Sequence, residues 1–257
     1  MNSAMSKSLE ISPQLRQFVL FSLLSLGLGW AGVLVVQYGM NGGTLGKFSP
    51  STFVFLFSPT LASLAMFVMV PATRAYWRDA LHLGPTPLWS LCWLVLPLLA
   101  LGLNGSDGWG IYGTYIGGPL GEEPGWRIVG QALAIGAFGV RRGLFALGIV
   151  WGLWHAPLFA ESIDSGMYDT GLLGLGFYLV YCVVLSPLFY AVHQRSNGSV
   201  WACIGLHASI NTFTDQELIS GLVITIGATA LTWYTHIQKP ITSEDFGAPH
   251  RKDLTAS

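Results

Sequence analysis

Long apolar stretches separated by short polar segments dominate the pattern of hydrophobic and polar positions along the chain. Eight of these stretches approach the roughly 20 mostly apolar residues that a helix needs to cross a membrane. They cover residues 17 to 36, 53 to 70, 88 to 104, 123 to 139, 143 to 159, 171 to 192, 199 to 214 and 218 to 235. The pattern predicts an all-α, polytopic integral membrane protein with about eight transmembrane helices.

The composition supports this prediction and excludes a water-soluble globular protein. Only 10% of the 257 residues are charged, 52% are hydrophobic, and the mean hydropathy is +0.54. A soluble surface would carry roughly a quarter or more charged residues. The net charge of −1 provides no basic field for nucleic acid, which we exclude as a partner. The three cysteines lie far apart within apolar stretches, and we interpret Cys92, Cys182 and Cys203 as small core residues.

The positions of Lys and Arg between the predicted spans predict the orientation of the chain. Ten of these basic residues fall on one side of an eight-span arrangement, and Lys47 alone falls on the other. The side rich in basic residues is expected to be cytosolic. This predicts a multi-pass cell-membrane protein with both termini in the cytosol. Residues 1 to 237 are predicted to form one transmembrane domain, and residues 238 to 257 a polar, disordered tail.

Two adjacent carboxylates open the predicted fourth span. An ionisable side chain inside a span costs at least ~2.5 kcal/mol, so such a residue marks a candidate functional site. On a helix, Glu123 and Arg127 lie one turn apart and are predicted to form an ion pair, which leaves Glu122 available for chemistry. Because Pro124 is tolerated in a first helical turn, we expect both carboxylates near a helix N-terminus. The alternative interpretation is a helix cap with an interfacial salt bridge.

An aromatic residue and a histidine share a helix face near the end of the predicted fifth span. These residues are Trp151 and His155, four positions apart, with Pro157 shortly after them. Because proline lacks a backbone N–H, the Leu153 carbonyl should be released to face a cavity or water. The alternative is an interfacial belt residue without a functional role.

A third polar pair, His207 and Asn211, shares a face of the predicted seventh span. Alone, it would be interpreted as interhelical hydrogen bonding. The alternating topology, however, directs all three polar elements toward the same membrane face. If they meet, the cavity contains a base that can take a proton from water and donors that can hold an oxyanion.

The chain lacks the motifs of several established hydrolytic mechanisms. It has no GxSxG sequence for a serine nucleophile and no HExxH sequence for a zinc protease. Direct attack by activated water is therefore the favoured chemistry. Two alternatives stay open: a polytopic transporter with a buried polar site, and a non-catalytic membrane scaffold or immunity protein.

The three elements match three motifs in order along residues 122 to 211. They are EExxxR (Glu122, Glu123, Arg127), an aromatic residue followed by xxxH (Trp151, His155), and HxxxN (His207, Asn211). With these motifs the sequence resembles the CPBP family of intramembrane endopeptidases. That family includes the type II CAAX prenyl proteases and the bacterial Abi proteins, some of which are linked to bacteriocin self-immunity.

The resemblance implies a hydrolase that cleaves a membrane-embedded or lipidated peptide or protein. It implies that Glu122 and His155 activate the attacking water, whereas His207 and Asn211 stabilise the oxyanion. Glu123, Arg127 and Trp151 are then supporting residues, and Trp151 stands where the family often has Phe. The topology turns this site toward the extracytoplasmic side.

No cofactor is firmly implied by the resemblance. A divalent metal such as zinc is the one candidate, because a glutamate and two histidines form a set of zinc ligands. Its ligands would be Glu122, His155 and His207. We expect glutamate to act without a tightly held metal.

Overall fold

The computed structural model describes residues 11–39, 50–81, 112–160 and 171–214, together with position 95. These residues form helices and turns, without a strand. The α-helices in chain order are α1 (Pro13–Gly39), α2 (Pro50–Met69), α3 (Arg74–Leu81), α4 (Pro119–Glu123), α5 (Gln131–Phe138), α6 (Val140–Trp154), α7 (Ala156–Ala160), α8 (Gly171–Arg195) and α9 (Val200–Thr214). Two π-helical segments, Tyr112–Gly117 and Pro124–Gly130, flank α4, and a short 3-10 turn, Pro71–Thr73, precedes α3.

Three of the described helices contain stretches that are long and apolar enough to cross a membrane. These stretches are Pro13–Leu34, Thr52–Met69 and Gly171–Arg195, and they correspond to the first, second and sixth predicted spans. On α8 the side chains of Leu172, Leu173 and Phe177 are largely exposed, as expected for a face that contacts lipid. The all-helical prediction is confirmed, and the apolar helices indicate a membrane protein.

The prediction of eight spans is not confirmed by these helices. The third predicted span, apart from position 95, and the eighth lie outside the described residues, as does the tail from 238 to 257. The fourth and fifth predicted spans are interrupted helices, because α4, the second π-helical segment and α5 follow one another, and α6 breaks before α7.

Two pairs of glycines bring neighbouring helices into close contact around the centre of the fold. A Cβ atom on Gly121 would lie 2.6 Å from the Leu56 carbonyl oxygen, and one on Gly125 would overlap the backbone of Pro59. On α6, Gly148 and Gly152 face α8 at similarly short distances. Both pairs have the GxxxG spacing that lets helix backbones approach closely in membranes. The first pair fixes the polar segment around Glu122 against α2.

The two carboxylates lie near the start of a helix, as expected, with Glu122 in its first turn, although the helix begins before Pro124. Helix α4 already begins at Pro119, and the Glu122 N–H donates to the Gly118 carbonyl at 2.9 Å. Pro124 begins the second π-helical segment, in which the Gln131 N–H reaches back five residues to the Trp126 carbonyl. Proline is accommodated there because the wider turn follows it directly. Single π-helical turns inside α-helices are frequent at functional sites.

The break between α6 and α7 places His155 at a helix end. The Leu153 carbonyl, which Pro157 cannot satisfy, accepts a hydrogen bond of 3.2 Å from the Trp30 indole of α1. The interruption near Pro157 therefore ties α6 to α1, and it leaves the His155 ring at the corner where the chain changes direction.

Candidate active site

Glu123 is the centre of a buried ionic cluster. One carboxylate oxygen, Oε2, accepts a 2.6 Å hydrogen bond from Arg127 Nε, and the other, Oε1, accepts a 2.7 Å bond from His207 Nδ1. The side chains of Glu123 and Arg127 have no solvent-exposed surface. The ion pair predicted from their spacing is thus present. The cluster also includes His207 of α9, a contact that spacing within one helix could not reveal.

The guanidinium of Arg127 is held between aromatic rings. Its Cζ atom lies 4.1 Å from the centroid of the Phe189 ring and 5.0 Å from that of the Trp151 ring. Such contacts stabilise a cation where water is excluded. Arg127 therefore joins the polar helix to both α6 and α8.

Glu122 is held by two indole groups. Its Oε2 atom accepts a 2.9 Å hydrogen bond from Trp151 Nε1 and a longer one, 3.4 Å, from Trp126 Nε1. The residue is 3% exposed, so its carboxylate is shielded from bulk solvent. A phenylalanine at position 151 could not donate the shorter bond. Trp151 thus contributes a hydrogen-bond donor to this site in addition to its aromatic ring.

His155 is oriented by its own helix and by α8. Its Nδ1 lies 3.0 Å from the Trp151 carbonyl oxygen, which can only accept, so Nδ1 carries a hydrogen. In the neutral ring Nε2 is then the acceptor, and the Tyr178 hydroxyl lies 3.2 Å from it. His155 and Glu122 make no direct hydrogen bond within the described part of the chain. Trp151 connects them, through its carbonyl to the histidine and through its indole to the carboxylate.

His207 and Asn211 face the same region from α9. The His207 ring is 8% exposed and contacts the rings of Trp151 and Phe189, each at a centroid distance of 5.9 Å. Asn211 Nδ2 and Glu122 Oε1 both approach Gly118, where a Cβ would lie 3.7 Å and 3.5 Å from them. A glycine at position 118 keeps the space between the amide and the carboxylate open.

The structure therefore brings the predicted site residues into one region between α4, α6, α8 and α9, with both histidine rings buried. Sequence reasoning did not identify Trp126 or Tyr178 as members of this region. His193 of α8, which the motifs do not include, is hydrogen-bonded through Nδ1 to Gln131 Nε2 at 3.3 Å. The sequence contains many Trp and Tyr residues, and their N–H and O–H groups usually form hydrogen bonds when they are buried. This abundance was the indication that residues such as Trp126 and Tyr178 could contribute to the site.

The three expected metal ligands do not form a metal-binding group in the described part of the chain, where no three His, Cys, Asp or Glu side chains are placed to hold an ion. His207 Nδ1 is engaged by Glu123, and His155 Nε2 lies 3.2 Å from the Tyr178 hydroxyl. We assign no step of the chemistry to a metal.

The comparisons with known proteins concern the part of the chain that contains this site. No curated protein matches the chain significantly. Residues 104–213 match the family model described as type II CAAX prenyl endopeptidase, Rce1-like, and the matched region includes every motif residue from Glu122 to Asn211. By its description this family consists of endopeptidases, which are hydrolases. The match confirms the resemblance inferred from the motifs, because residues 104–213 are similar to the Rce1-like family of type II CAAX prenyl endopeptidases.

Proposed function

We propose that the chain is an intramembrane endopeptidase in which Glu122 activates a water molecule for direct attack on a peptide bond. The observation that carries this proposal is the contrast between two neighbouring carboxylates. Glu123 is engaged on both oxygens by Arg127 and His207, whereas Oε1 of Glu122 lies beside Gly118, which the Asn211 amide also approaches. Glu122 is thus the carboxylate that can receive a proton.

In this mechanism Glu122 takes a proton from water, and the resulting hydroxide attacks the carbonyl carbon of the scissile bond. The indoles of Trp126 and Trp151 hold Oε2 in place, so the carboxylate is oriented before the substrate arrives. Positioned acid–base groups of this kind contribute typically 10²–10⁴-fold to a rate. The proton then passes to the leaving amine as the carbon–nitrogen bond breaks.

The oxyanion that forms in this attack is assigned to His207 and Asn211. In a protonated imidazole both ring nitrogens donate, so Nε2 can donate to the oxyanion while Nδ1 continues to donate to Glu123. The negative charge of Glu123 compensates that of the imidazolium, much as a buried carboxylate orients the histidine of a catalytic triad. The Asn211 amide supplies a neutral donor beside it.

We assign His155 a supporting role in the activation of water. It is bonded to the carbonyl of Trp151, whereas Glu122 is bonded to the indole of the same residue. Its tautomer is fixed by the Trp151 carbonyl, so Nε2 is the nitrogen available to water or to the leaving group once Tyr178 yields it. The same residue, Trp151, orients both Glu122 and His155. Trp151 therefore fixes the positions of the Glu122 carboxylate and the His155 imidazole relative to each other.

The proposed substrate is a lipidated peptide or protein that lies at the membrane. The apolar surface of α8 favours substrates that arrive within the bilayer, and the family acts on prenylated peptides. A prenylated peptide ending in a CAAX sequence and the same peptide without its lipid therefore form the first pair of substrates to compare.

The test is hydrolysis by the full chain in lipid vesicles, measured by mass spectrometry of the released C-terminal fragment. We expect Glu122→Gln to lower kcat at least ~10²-fold, because the amide cannot accept the proton of water. The matched control is Asp79→Asn, which neutralises an exposed carboxylate and should retain full activity.

Retention of activity in a folded Glu122→Gln variant would reject the mechanism. If the folded unmodified protein cleaves neither peptide, and a panel of membrane peptides also stays intact, the non-catalytic scaffold replaces the protease. Transport of an ion by the same vesicles without hydrolysis would favour the transporter.

A further inference from the structure

A polar column extends from the candidate site along the interrupted helix and away from Glu122. It comprises Glu122, Glu123, Arg127, Gln131 and His193. Arg127 lies four residues beyond Glu123 within the second π-helical segment, and Gln131 lies four residues beyond Arg127 at the start of α5. Gln131 Nε2 then joins it to His193 Nδ1 near the end of α8. The mechanism proposed above does not use Gln131 or His193.

Four enclosed polar atoms of this column lack a hydrogen-bond partner in the described part of the chain. They are Nη1 and Nη2 of Arg127, Oε1 of Gln131 and Nε2 of His193. Arg127 is 1% exposed and Gln131 3%, so bulk solvent does not reach their side chains. Each buried polar group left unpaired costs about 1–3 kcal/mol. Four such atoms on three members of the column indicate a ligand that pairs with them.

The hydrogen-bonding character of these atoms identifies the ligand. Nη1 and Nη2 of Arg127 are donors, and Oε1 of Gln131 is an acceptor. Because the Gln131 amide donates to His193 Nδ1, a neutral His193 carries its hydrogen on Nε2. This nitrogen is therefore also a donor. Reversing the amide of Gln131 exchanges these roles and still leaves one donor and one acceptor. The ligand must therefore both accept and donate hydrogen bonds.

Charge excludes an ion as this ligand. An anion near Arg127 would meet the carboxylate of Glu123, which already compensates the guanidinium at 2.6 Å. A cation would meet the guanidinium itself. Water is neutral and both donates and accepts, and buried water typically makes about three hydrogen bonds to such groups.

We propose that Arg127, Gln131 and His193 hold a chain of ordered water molecules that leads from the turn after α8 to the Glu123–His207 pair. The outer end lies at His193, which is only partly buried. The Gly198 N–H and the Ser196 hydroxyl both donate to the His193 carbonyl, at 2.8 Å and 3.1 Å, so the turn beside it is polar. The Gly198 backbone lies beside the Nε2 edge of the ring, where a Cβ would stand 4.0 Å from it.

The chain of water supplies the hydrolytic site, and this last step rests on the proposed protease function. A hydrolase surrounded by lipid needs a polar route for the water that it consumes. The column provides this route on the side of the site away from Gly118.

The experiment that tests hydration measures thiol accessibility in the full chain. Gln131→Cys is made after Cys92, Cys182 and Cys203 are replaced by alanine, and it is labelled in vesicles with a small water-soluble thiosulfonate. The matched control is Leu133→Cys, a fully buried apolar position two residues further along the same helix. We expect labelling at position 131 to be at least ~10-fold faster, since the reagent reacts with the thiolate, which forms only in contact with water. Equal rates in two folded variants would overturn the proposal.

A density map of the unmodified protein at high resolution provides the second measurement, for the case in which Gln131→Cys does not fold. We expect ordered water within hydrogen-bond distance of Gln131 Oε1 and of an Arg127 Nη atom. Direct packing of these groups against apolar side chains, with no water between them, would overturn the proposal.

The supply of water is tested separately with His193→Phe, which places an apolar ring at the outer end. We expect kcat for peptide hydrolysis to fall at least threefold with little change in KM, while His250→Phe in the C-terminal sequence leaves both unchanged. Unaltered kcat in folded His193→Phe would overturn the supply role. Labelling at position 131 does not depend on hydrolysis, so failure of the protease proposal and failure of the hydration proposal are distinguishable.

Discussion

The two ends of the polar column differ in how their hydrogen bonds are satisfied. At the site end, both oxygens of Glu123 and one oxygen of Glu122 accept short bonds from side chains on three helices. At the other end, Arg127, Gln131 and His193 contribute four enclosed atoms without a protein partner in the described residues. The first end is held by the protein itself, whereas the second requires an exchangeable partner.

This difference relates each end to its task. Chemistry on a peptide bond requires groups that are fixed before the substrate binds, because reorganising them during the reaction costs energy. A route for water requires groups that pair with a mobile molecule and release it again. Arg127 belongs to both ends, since its Nε is bonded to Glu123 while Nη1 and Nη2 are not paired.

The largest expected effect follows from neutralising the centre of the paired end. Glu123→Gln preserves the shape of the side chain but removes the charge that compensates Arg127, and its amide hydrogens face the guanidinium. Breaking a buried ion pair at one partner typically costs 3–5 kcal/mol. We therefore expect the free energy of unfolding to fall by about that amount, measured by denaturant titration in detergent.

The neighbouring carboxylate provides the control for this prediction. Glu122→Gln keeps an acceptor for both indoles and removes no ion pair, so its loss of stability should be under about 1.5 kcal/mol, within the range of one hydrogen bond. Equal losses for the two substitutions would contradict the assignment of different roles to Glu122 and Glu123.

The next effect concerns the packing that holds the paired end in place. Gly125→Ala inserts a Cβ that overlaps the Pro59 backbone of α2, and backbone cannot move aside as a flexible side chain does. Overpacking of this kind costs typically 1–3 kcal/mol. We expect a lower melting temperature and reduced kcat, since the turn that carries Glu122 must shift.

Gly27→Ala is the matched control for that substitution. It makes the same change in α1, where no other atom lies within 4 Å of the new Cβ. Its stability should be unchanged or slightly raised, because alanine favours a helix over glycine. A destabilisation by Gly27→Ala as large as that by Gly125→Ala would remove close packing as the explanation.

A smaller effect is expected from Tyr178, which fixes the orientation of His155. Tyr178→Phe retains the ring and removes the hydroxyl that lies 3.2 Å from Nε2. The loss of one hydrogen bond, about 0.5–1.5 kcal/mol, corresponds to a roughly three- to tenfold fall in kcat. KM should change little, because the substrate does not touch this hydroxyl in the proposed arrangement.

Tyr181→Phe separates this effect from general packing. Tyr181 contacts the Tyr178 ring at a centroid distance of 5.8 Å, whereas the hydroxyl that lies next to His155 Nε2 is that of Tyr178. Steady-state kinetics with the prenylated peptide should show kcat near that of the unmodified protein for Tyr181→Phe. A parallel fall in both variants would show that Tyr178 acts through packing alone.

The sequence allowed prediction of contacts within one helix. The spacing of Glu123 and Arg127 predicted their ion pair, and the shared face of Trp151 and His155 agrees with the carbonyl of one bonding the ring of the other. Such pairs follow from helix geometry alone. The all-helical fold followed from the length of the apolar stretches, although the number of spans does not follow from the described helices.

Contacts between helices could not be predicted in the same way. His207 meets Glu123 across 84 residues, and Tyr178 meets His155 from another helix. Their pairing depends on how α8 and α9 are rotated, which the glycines of α6 help to set by close approach. The position of Pro124 was also misleading, because a π-helical turn accommodates it within a longer helical segment.

The smallest expected effect distinguishes the hydrated end of the column from a dry one. Gln131→Ala removes the partner of His193 Nδ1 and leaves room for water beside it. If water already occupies this end, it replaces the lost amide, and the free energy of unfolding should fall by less than about 1 kcal/mol. If the end is dry, the unpaired imidazole nitrogen costs the desolvation penalty of about 1–3 kcal/mol. Denaturant titration of Gln131→Ala and Glu123→Gln under the same conditions measures the loss in the free energy of unfolding at each end of the column. A loss above about 1 kcal/mol for Gln131→Ala would show that water does not pair with His193.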